Sequence, residues 1–360
     1  MHVALVVDRV WLADEQAMYR FLVVGLMDEQ VQVMQVVPQG LTQGAAGTFG
    51  RQVTWRPTGL AWLMRRRIEA LGDSLEPLVV TVLHALDGRL WAGALRLAGR
   101  LGVPVVLASN RESDLAQAVG LRRQIAANRT AFSAATAPLQ QALRQRVSDP
   151  SMVYLVPPGA HIPAEKGIPS AGDVLCMVIT GNGVFDVQYQ ALYEALVEFV
   201  EAHPQTLLFF DTQGGDPHPL WQAARRYNLL NYSSMIPSHL SHRKLLMGAH
   251  VLIQPQANGQ ARCLTIQAMA CGVPVLAKED PWIDYLIDGQ TAWMTKQGGM
   301  SSWAGLIRRW QREPAAVAAL TDTARQWVRE RHLASAQVEQ TLDMYHKLAG
   351  QTYKFPADGQ

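Results

Sequence analysis

The stretch from Val251 to Met294 constrains the fold of this chain more than any other part of the sequence. It begins with a short apolar run, continues through a polar break that contains proline and glycine, and then carries an amphipathic segment. Gly272 and Pro274 end that segment, and a second apolar run follows at Val275 to Ala277. This order predicts a strand, a loop, a helix and a second strand, with the loop leading directly into the start of the helix.

The predicted helix, which starts near Gln260, offers a place where an anion can bind. The first four backbone N–H groups of a helix have no partner inside it, and the aligned peptide dipoles add about half a positive charge at that end. A phosphate group is a common ligand of such a helix start. We therefore predict that the amides following Asn258 are unpaired and can bind a phosphate group.

The same stretch resembles the donor-binding segment of the retaining GT-B glycosyltransferases. Members of that family typically read PS..EGFGL..LEAMACG.PV.A....G..E...DG, and this chain has AMACGVPVLA followed at the right distance by Asp288 and Gly289. The resemblance implies an α/β fold of the GT-B type, in which two Rossmann-like parallel-sheet domains face each other across an interdomain cleft. It also implies transfer of a sugar from a nucleotide-sugar donor, with no metal ion or other cofactor.

Several charged residues of the family pattern are absent from this chain. The two family glutamates correspond to Gly259 and Gln267, and the family histidine near the reaction centre corresponds to Asn110. The resemblance implies that Gln267 holds the ribose, since an amide both donates and accepts hydrogen bonds. Arg262 is the candidate for the missing cation, because one charge-assisted contact to a phosphate contributes about 1.5 to 3 kcal/mol.

The length of the chain indicates two domains. A chain of 360 residues is longer than one hydrophobic core usually supports. The segment YLVPPGAHIP, from Tyr154 to Pro163, resembles the family linker, so we place the N-terminal, acceptor-side domain at residues 1–165. Residues 166–335 then form the donor domain. Residues 336–360 form a terminal helix, which crosses back toward the N-terminal domain, and a tail.

The N-terminal half carries apolar runs that alternate with helix-like segments. The runs are Val3 to Val7, Val31 to Val37, Val53 to Trp55, Leu78 to Leu83 and Val103 to Ala108. This alternation predicts a parallel sheet covered on both faces, with ligands at the carboxyl ends of the strands. The catalytic candidates are His84, Asn110 and Gly259. His84 has two interpretations, a residue that contacts sugar hydroxyls or phosphate and a polar strand end without a chemical role.

The C-terminal half begins with a predicted strand, Val174 to Ile179, and a glycine-bearing turn. Such a turn lets backbone amides approach a diphosphate closely. The family usually places an arginine and a lysine here, and the sequence TGNGVFDVQ has neither. The predicted donor-binding residues therefore come from two loops and the helix between the apolar runs. They are Gly181, Asn182, Gly183, Asn258, Gly259, Gln260, Ala261, Arg262 and Gln267.

Composition argues against several other classes of protein. An apolar fraction of 49% and a charged fraction of 17% are typical of a folded globular protein, and a net charge of +2 gives no reason to predict nucleic-acid binding. The three cysteines form no CxxC pair, and His239 and His242 lack a nearby carboxylate, so we expect no metal site. We recognise no signal peptide and no apolar run of about 18 residues, which predicts a cytoplasmic protein.

The segment LAWLMRRRI, from Leu60 to Ile68, has two interpretations. Trp62 stands close to Arg65, Arg66 and Arg67, an arrangement typical of a solvated helix face with an apolar stripe. The alternative is an amphipathic patch that touches the anionic surface of a membrane. That alternative suits an enzyme acting on a lipid-linked acceptor at the inner face of a membrane.

These observations leave two classes of function open. The first is a glycosyltransferase that moves a sugar from a nucleotide-sugar donor to a polysaccharide, a lipid-linked glycan or a small molecule. The second is a catalytically inactive GT-B protein that serves as a binding or scaffold partner. The loss of charged family residues at five positions favours the second, and the intact AMACG stretch favours the first. An epimerase or phosphorylase of the same fold has no motif in its favour.

Overall fold

The structure is a computed structural model that describes residues 1–40, 50–167, 174–212, 216–236 and 242–350. The chain divides into two compact units. Unit 1 consists of Met1–Leu12, Tyr19–Pro157 and Ala334–Gln360, and unit 2 consists of Ala13–Met18 and Pro158–Leu333. The short segment Ala13–Met18 therefore groups with unit 2, although the chain on both sides of it belongs to unit 1.

Unit 1 is built on a seven-stranded sheet in which neighbouring strands are parallel. The strands are β1 (His2–Val6), β2 (Gln32–Pro38), β3 (Arg51–Trp55), β4 (Val82–Ala85), β5 (Val105–Ser109), β6 (Thr130–Ala134) and β7 (Val153–Leu155). Their order across the sheet is β3-β2-β1-β4-β5-β6-β7, and Leu5 lies opposite Gln35 on one side and His84 on the other.

Among the described residues, eight α-helices lie between β1 and β7 in the sequence. They are α1 (Arg9–Asp14), α2 (Gln16–Asp28), α3 (Ala61–Glu69), α4 (Gly72–Leu75), α5 (Trp91–Leu101), α6 (Asp114–Gly120), α7 (Arg122–Ala126) and α8 (Ala137–Arg144). Gly102 ends α5 in the left-handed conformation, which a residue without a Cβ adopts readily. Thr136 caps α8 by accepting a hydrogen bond from the amide of Leu139.

Unit 2 contains a six-stranded sheet, again with parallel neighbours. The strands are β8 (Leu175–Thr180), β9 (Thr206–Asp211), β10 (Ser233–Met235), β11 (Val251–Gln254), β12 (Val275–Lys278) and β13 (Trp293–Thr295). Their order is β10-β9-β8-β11-β12-β13. The helices are α9 (Val187–Ala202), α10 (His218–Arg226), α11 (His242–Met247), α12 (Cys263–Cys271), α13 (Met300–Arg312) and α14 (Pro314–Arg331). Tyr193, Phe210 and Trp303 are among the large side chains of its core.

The last helix, α15 (Ala334–Ala349), belongs to unit 1. A Cβ on Gly25 in α2 would lie 2.5 Å from the Val338 side chain, so glycine at that position allows α15 to pack closely. Tyr345 of α15 is buried, and its hydroxyl lies 2.6 Å from Nδ1 of the buried His84 in β4. This hydrogen bond connects the end of the chain to the centre of the unit 1 sheet.

The structure confirms the predicted α/β class with two parallel-sheet units, and it corrects some boundaries. The predicted strand Leu78 to Leu83 begins only at Val82, because the chain turns at Val79, which has a left-handed φ of 50°. The helix predicted from Ser238 to Met247 is described only from His242, and the preceding residues lie outside the described ranges.

We predict that His84 makes the stability of unit 1 depend on pH. Burial lowers the pKa of His84 to about 3, whereas a histidine in the unfolded chain titrates near about 6.5. The unfolded chain therefore binds a proton that the folded chain does not, and stability falls as the pH drops below about 6.5. Between pH 7 and pH 5, wild type should lose about 2 kcal/mol more stability than His84→Asn.

Urea unfolding of both proteins at the two pH values measures this difference. The matched control is His218→Asn, a substitution of an exposed histidine, which should lose as much stability as wild type. Equal losses in wild type and His84→Asn would contradict the prediction.

Candidate functional site

The carboxyl edge of the unit 2 sheet carries the loops with the predicted donor-binding residues. From β8, strands β9 and β10 continue toward one edge of the sheet, and strands β11 to β13 continue toward the other edge. The strand order therefore reverses between β8 and β11. Ligands of open parallel sheets bind outside the carboxyl ends of the strands at such a reversal point. The loops after β8, β11 and β12 meet there through hydrogen bonds that join Asn182 to Gln256 and Gly259 to Asp280.

The loop after β8 contains Gly181, Asn182 and Gly183. Gly183 has a φ of 80°, in the left-handed region that favours glycine. A Cβ on Gly181 would overlap the hydroxyl group of Tyr189 in α9. The conformation and packing of the loop itself therefore account for both glycines.

Gln256, which the sequence reasoning missed, connects the loop after β8 to the loop after β11. Its Oε1 accepts a hydrogen bond from the Asn182 amide (2.9 Å), and its Nε2 donates to the Val184 carbonyl (3.3 Å) and to Asp186 Oδ2 (2.8 Å). Asp186 also caps the start of α9 by accepting two backbone hydrogen bonds of 3.0 Å. The start of α9 thus already has a carboxylate as its partner.

The helix after β11 begins three residues later than the sequence predicted. Its first residue is Cys263, preceded by Arg262 in an extended conformation, whereas the prediction placed the start near Gln260. Gly259 adopts a left-handed φ of 64°, and its amide donates to Asp280 Oδ2 (2.8 Å). These two features hold the residues after Asn258 in a loop rather than in the first turn of α12.

The amides at the start of α12 are paired with side chains of unit 2. The Arg262 amide donates to the Tyr285 hydroxyl (2.8 Å), and the Cys263 amide donates to the Glu15 carboxylate, whose oxygens lie at 3.2 and 3.4 Å. Glu15 is 4% exposed and Arg262 is 0% exposed. The prediction of unpaired amides is therefore wrong for these two residues, because a carboxylate and a hydroxyl of the same unit accept their hydrogen bonds.

Buried charges surround this helix start. Burial raises the pKa of the Tyr285 hydroxyl far above its usual value, the charges of Glu15 and Asp280 raise it further, and the charge of Arg262 opposes the rise. Burial, followed by the charge of Glu15, also raises the pKa of the Cys263 thiol. Both groups stay protonated near neutral pH, so Cys263 lacks the thiolate character of a nucleophile.

The structure places Arg262 away from solvent. Its Nη2 donates to Asn258 Oδ1 (3.3 Å). Gln260 and Ala261 are also buried, whereas Asn258 is exposed. Among the predicted residues of this loop, Asn258 is the one whose side chain is open to a ligand.

Gln267 lies in α12, one turn after the helix start. It is half-buried, and its Nε2 donates to the Cys263 sulfur at 3.1 Å. To bind a ribose as the resemblance implies, its amide must exchange this weak sulfur contact for a hydroxyl group.

At the carboxyl edge of the unit 1 sheet, Arg89 bridges the reversal point between β1 and β4. Its guanidinium lies 2.9 Å from Asp8, which follows β1, and 2.9 Å from Asp87, which follows β4. Arg111 also contacts Asp87, at 3.1 Å. Burial alone would raise the pKa of the Asp87 carboxyl, but the hydrogen bonds and charge of Arg89, with the charge of Arg111, bring the pKa below its usual value.

Asn110 joins the same edge of unit 1. Its side-chain Nδ2 donates to the Leu86 carbonyl (2.9 Å), and its backbone N–H donates to Asp114 Oδ2 (2.9 Å). Burial raises the pKa of Asp114 to about 6, and the charge of Arg111 opposes the rise.

His84, by contrast, lies inside β4 rather than after it. Besides the contact with Tyr345, its Nε2 lies 3.4 Å from Ser133 Oγ. This buried position favours the interpretation of His84 as a residue without a chemical role.

The described part of the chain contains neither a metal-binding cluster nor a membrane-spanning helix. In these ranges, no three His, Cys, Asp or Glu side chains are grouped so that they could hold a metal ion. Likewise, none of the described helices combines the length and apolar character needed to cross a membrane.

The two parallel-sheet units define an α/β protein with the GT-B glycosyltransferase fold. The sequence matches no family model and no curated protein. Similar solved structures include sucrose-phosphate synthase from Thermosynechococcus elongatus, with 16% identity, a TM-score of 0.77, and coverage of 97% of this chain and 99% of that chain. At such low identity, this likeness shows the fold alone.

Two further structures share the fold over similar lengths. HepE from Anabaena, in complex with UDP-glucose, has 14% identity, a TM-score of 0.73, and coverage of 96% of this chain and 100% of that chain. A glycosyltransferase from Rickettsia africae ESF-5 has 9% identity, a TM-score of 0.70, and coverage of 98% and 99%, respectively. Each of these similarities extends over nearly the whole length of both chains.

We predict that Gln256→Ala destabilises unit 2 by about 1 to 3 kcal/mol, since it removes the acceptor of a part-buried amide and two donor contacts. The exposed Gln222→Ala is the matched control and should change stability by less than about 0.5 kcal/mol. Urea unfolding measures both. Equal effects of the two substitutions would show that Gln256 does not hold the loops together.

Proposed function

We propose that this protein transfers a sugar from a nucleotide-sugar donor to an acceptor. One observation carries the proposal: the stretch from Val251 to Met294, which resembles a donor-binding segment, folds as β11, a loop, α12 and β12 beside the reversal point of unit 2. A GT-B fold along nearly the whole chain supports it, and so does the UDP-glucose bound to the similar HepE.

In this proposal the donor binds at the carboxyl edge of the unit 2 sheet. Asn258 is exposed and Asn182 is half-buried, so both side chains can offer amide groups to sugar hydroxyls or phosphate oxygens. Gln267 takes the ribose. The helix dipole of α12 and the charge of Arg262 stabilise the departing diphosphate, and no metal ion takes part.

The acceptor binds at the carboxyl edge of the unit 1 sheet in the same proposal. Arg89 and Arg111 are partly exposed there, and together with Asp8 they present donors and acceptors that suit the hydroxyls of a sugar. The acceptor is a polysaccharide, a lipid-linked glycan or a small molecule with such hydroxyls. Asn110, through its bonds to Leu86 and Asp114, fixes the loop that carries Arg111.

A specific observation favours a second candidate, a GT-B protein that binds a partner without transferring sugar. The start of α12, where the donor phosphates would lie, is buried and is paired with Glu15 and Tyr285. A protein that never binds a nucleotide has no need of an open helix start. The two candidates differ in whether any nucleotide sugar binds.

We predict that at least one of the UDP-, GDP-, ADP- and TDP-sugars raises the melting temperature of the purified protein. A donor at 100 times its dissociation constant adds about 2.7 kcal/mol to the free energy of unfolding. The Asn182→Ala variant should show a smaller shift, because it loses one contact to the donor, and the exposed Gln222→Ala should match wild type. Absence of a shift with every nucleotide sugar would favour the binding protein.

We further propose that α3 touches an anionic membrane surface. Trp62 is 54% exposed and Leu60 is 55% exposed. The Arg66 guanidinium carbon lies 6.0 Å from the centre of the Trp62 ring, so a positive charge accompanies the exposed aromatic group. Arg67 is held by the carbonyls of Arg56 and Pro57, and Arg65 is half-buried, so Arg66 supplies the most accessible charge. Tryptophan beside exposed cations suits the boundary of an anionic bilayer.

We predict that the protein sediments with vesicles containing phosphatidylserine and that Trp62→Ala lowers the bound fraction several-fold, since the indole is the largest exposed apolar group of the patch. Val119→Ala, which removes an exposed apolar side chain of α6, should leave binding unchanged. The absence of binding to these vesicles, or equal binding by wild type and Trp62→Ala, would exclude the membrane contact.

A further inference from the structure

Glu15 occupies a break between two helices. α1 ends at Asp14 and α2 begins at Gln16, so Glu15 is the one residue between them. The surrounding segment, Ala13–Met18, groups with unit 2. The break lets the Glu15 side chain leave the helical path, and its carboxylate reaches the Cys263 amide at the start of α12.

The Glu15 carboxylate has the position and charge of an anion bound to a helix start. It is buried, and both of its oxygens lie within 3.4 Å of the Cys263 nitrogen. A negative group at this end of a helix is stabilised by the free amides and by the helix dipole. A phosphate of a ligand would be stabilised at the same place for the same reason.

The neighbouring charges make simultaneous occupation unfavourable. Glu15 and Asp280 both act on Tyr285, which donates and accepts hydrogen bonds at the Arg262 backbone. Arg262 is the positive group that also acts on Tyr285. A diphosphate placed beside α12 would therefore meet two buried carboxylates, and like charges at such short range repel strongly where water is excluded.

We propose that Glu15 is an internal competitor of the donor diphosphate, and that the segment Ala13–Met18 must leave the start of α12 before a donor can bind. This inference rests on the proposed function, because that function identifies the competing ligand as the diphosphate of a nucleotide-sugar donor. It makes the Glu15 contact autoinhibitory: the protein with Glu15 in place is closed to the donor, and release of the segment opens the site.

The test compares wild type with Glu15→Gln and Glu15→Ala. Glu15→Gln keeps an oxygen that can accept the Cys263 hydrogen bond, so it removes the charge with little change in shape, and Glu15→Ala also removes the side chain that fills the site. Glu29→Gln, an exposed carboxylate just after α2, is the matched control. Thermal unfolding establishes that each variant is folded, and Glu15→Gln decides the outcome if Glu15→Ala does not fold.

Calorimetric titration with inorganic pyrophosphate and with UDP is the measurement. Both Glu15 variants should bind pyrophosphate at least tenfold more tightly than wild type, and Glu29→Gln should bind like wild type. Hydrogen exchange in wild type at saturating pyrophosphate should become faster in residues 13–18 and stay slow in residues 259–266. Unchanged affinity in the Glu15 variants, or unchanged exchange in residues 13–18 with pyrophosphate bound, would overturn the inference.

These outcomes separate the inference from the proposed function. Tighter pyrophosphate binding by the variants, with no nucleotide sugar used by any of the proteins, supports the internal competitor and removes sugar transfer. Sugar transfer by wild type, with affinities that the Glu15 substitutions do not alter, supports the transferase and overturns the internal competitor.

Discussion

The amides at the carboxyl edge of each parallel sheet impose the constraint on which both units depend. Strands end there and helices begin there, so several N–H groups point toward one edge and each needs an acceptor. Unit 2 supplies these acceptors from its own side chains: Asp186 for α9, Asp280 for Gly259, and Glu15 with Tyr285 for α12. The same side chains therefore stabilise the fold and occupy amides to which the phosphate of a ligand would otherwise bind.

Both units join the two sides of their reversal point with one side chain. Arg89 does so in unit 1 by pairing with carboxylates that follow β1 and β4, and Gln256 does so in unit 2 by bonding the loop after β8 from the loop after β11. An ion pair and a neutral amide perform the same task. The difference leaves unit 1 with partly exposed charge at its edge, whereas the loops of unit 2 are joined by a buried neutral amide.

Much of the fold could be predicted from the sequence because the signals are local. Apolar runs such as Val3 to Val7 form fully buried strands, and their alternation with helices admits few arrangements other than parallel sheets. β6 escaped prediction because its sequence, TAFSA, mixes small and hydroxyl-bearing residues and lacks an apolar run. β7 has only three residues, too few to give a periodic signal.

The candidate site could be predicted only in its location. The loops after β8 and β11 meet as the topology requires, but Glu15 and Cys263 are separated by 248 positions, and no local pattern connects them. The departures from the family pattern at Gly259 and Gln267 were visible in the sequence. The pairing of the α12 amides with Glu15 and Tyr285 was not, because a single glutamate in ADEQ has many equally plausible partners.

The burial of Arg262 has a consequence for how this sequence can diverge. Arg262 is 0% exposed. Its positive charge and the negative charges of Glu15 and Asp280 act in opposite directions on the pKa of Tyr285. Loss of any one of these three charged groups would change the electrostatic environment of Tyr285 and the balance of buried charge around it. Positions 15, 262 and 280 are therefore expected to change together rather than one at a time as the sequence diverges.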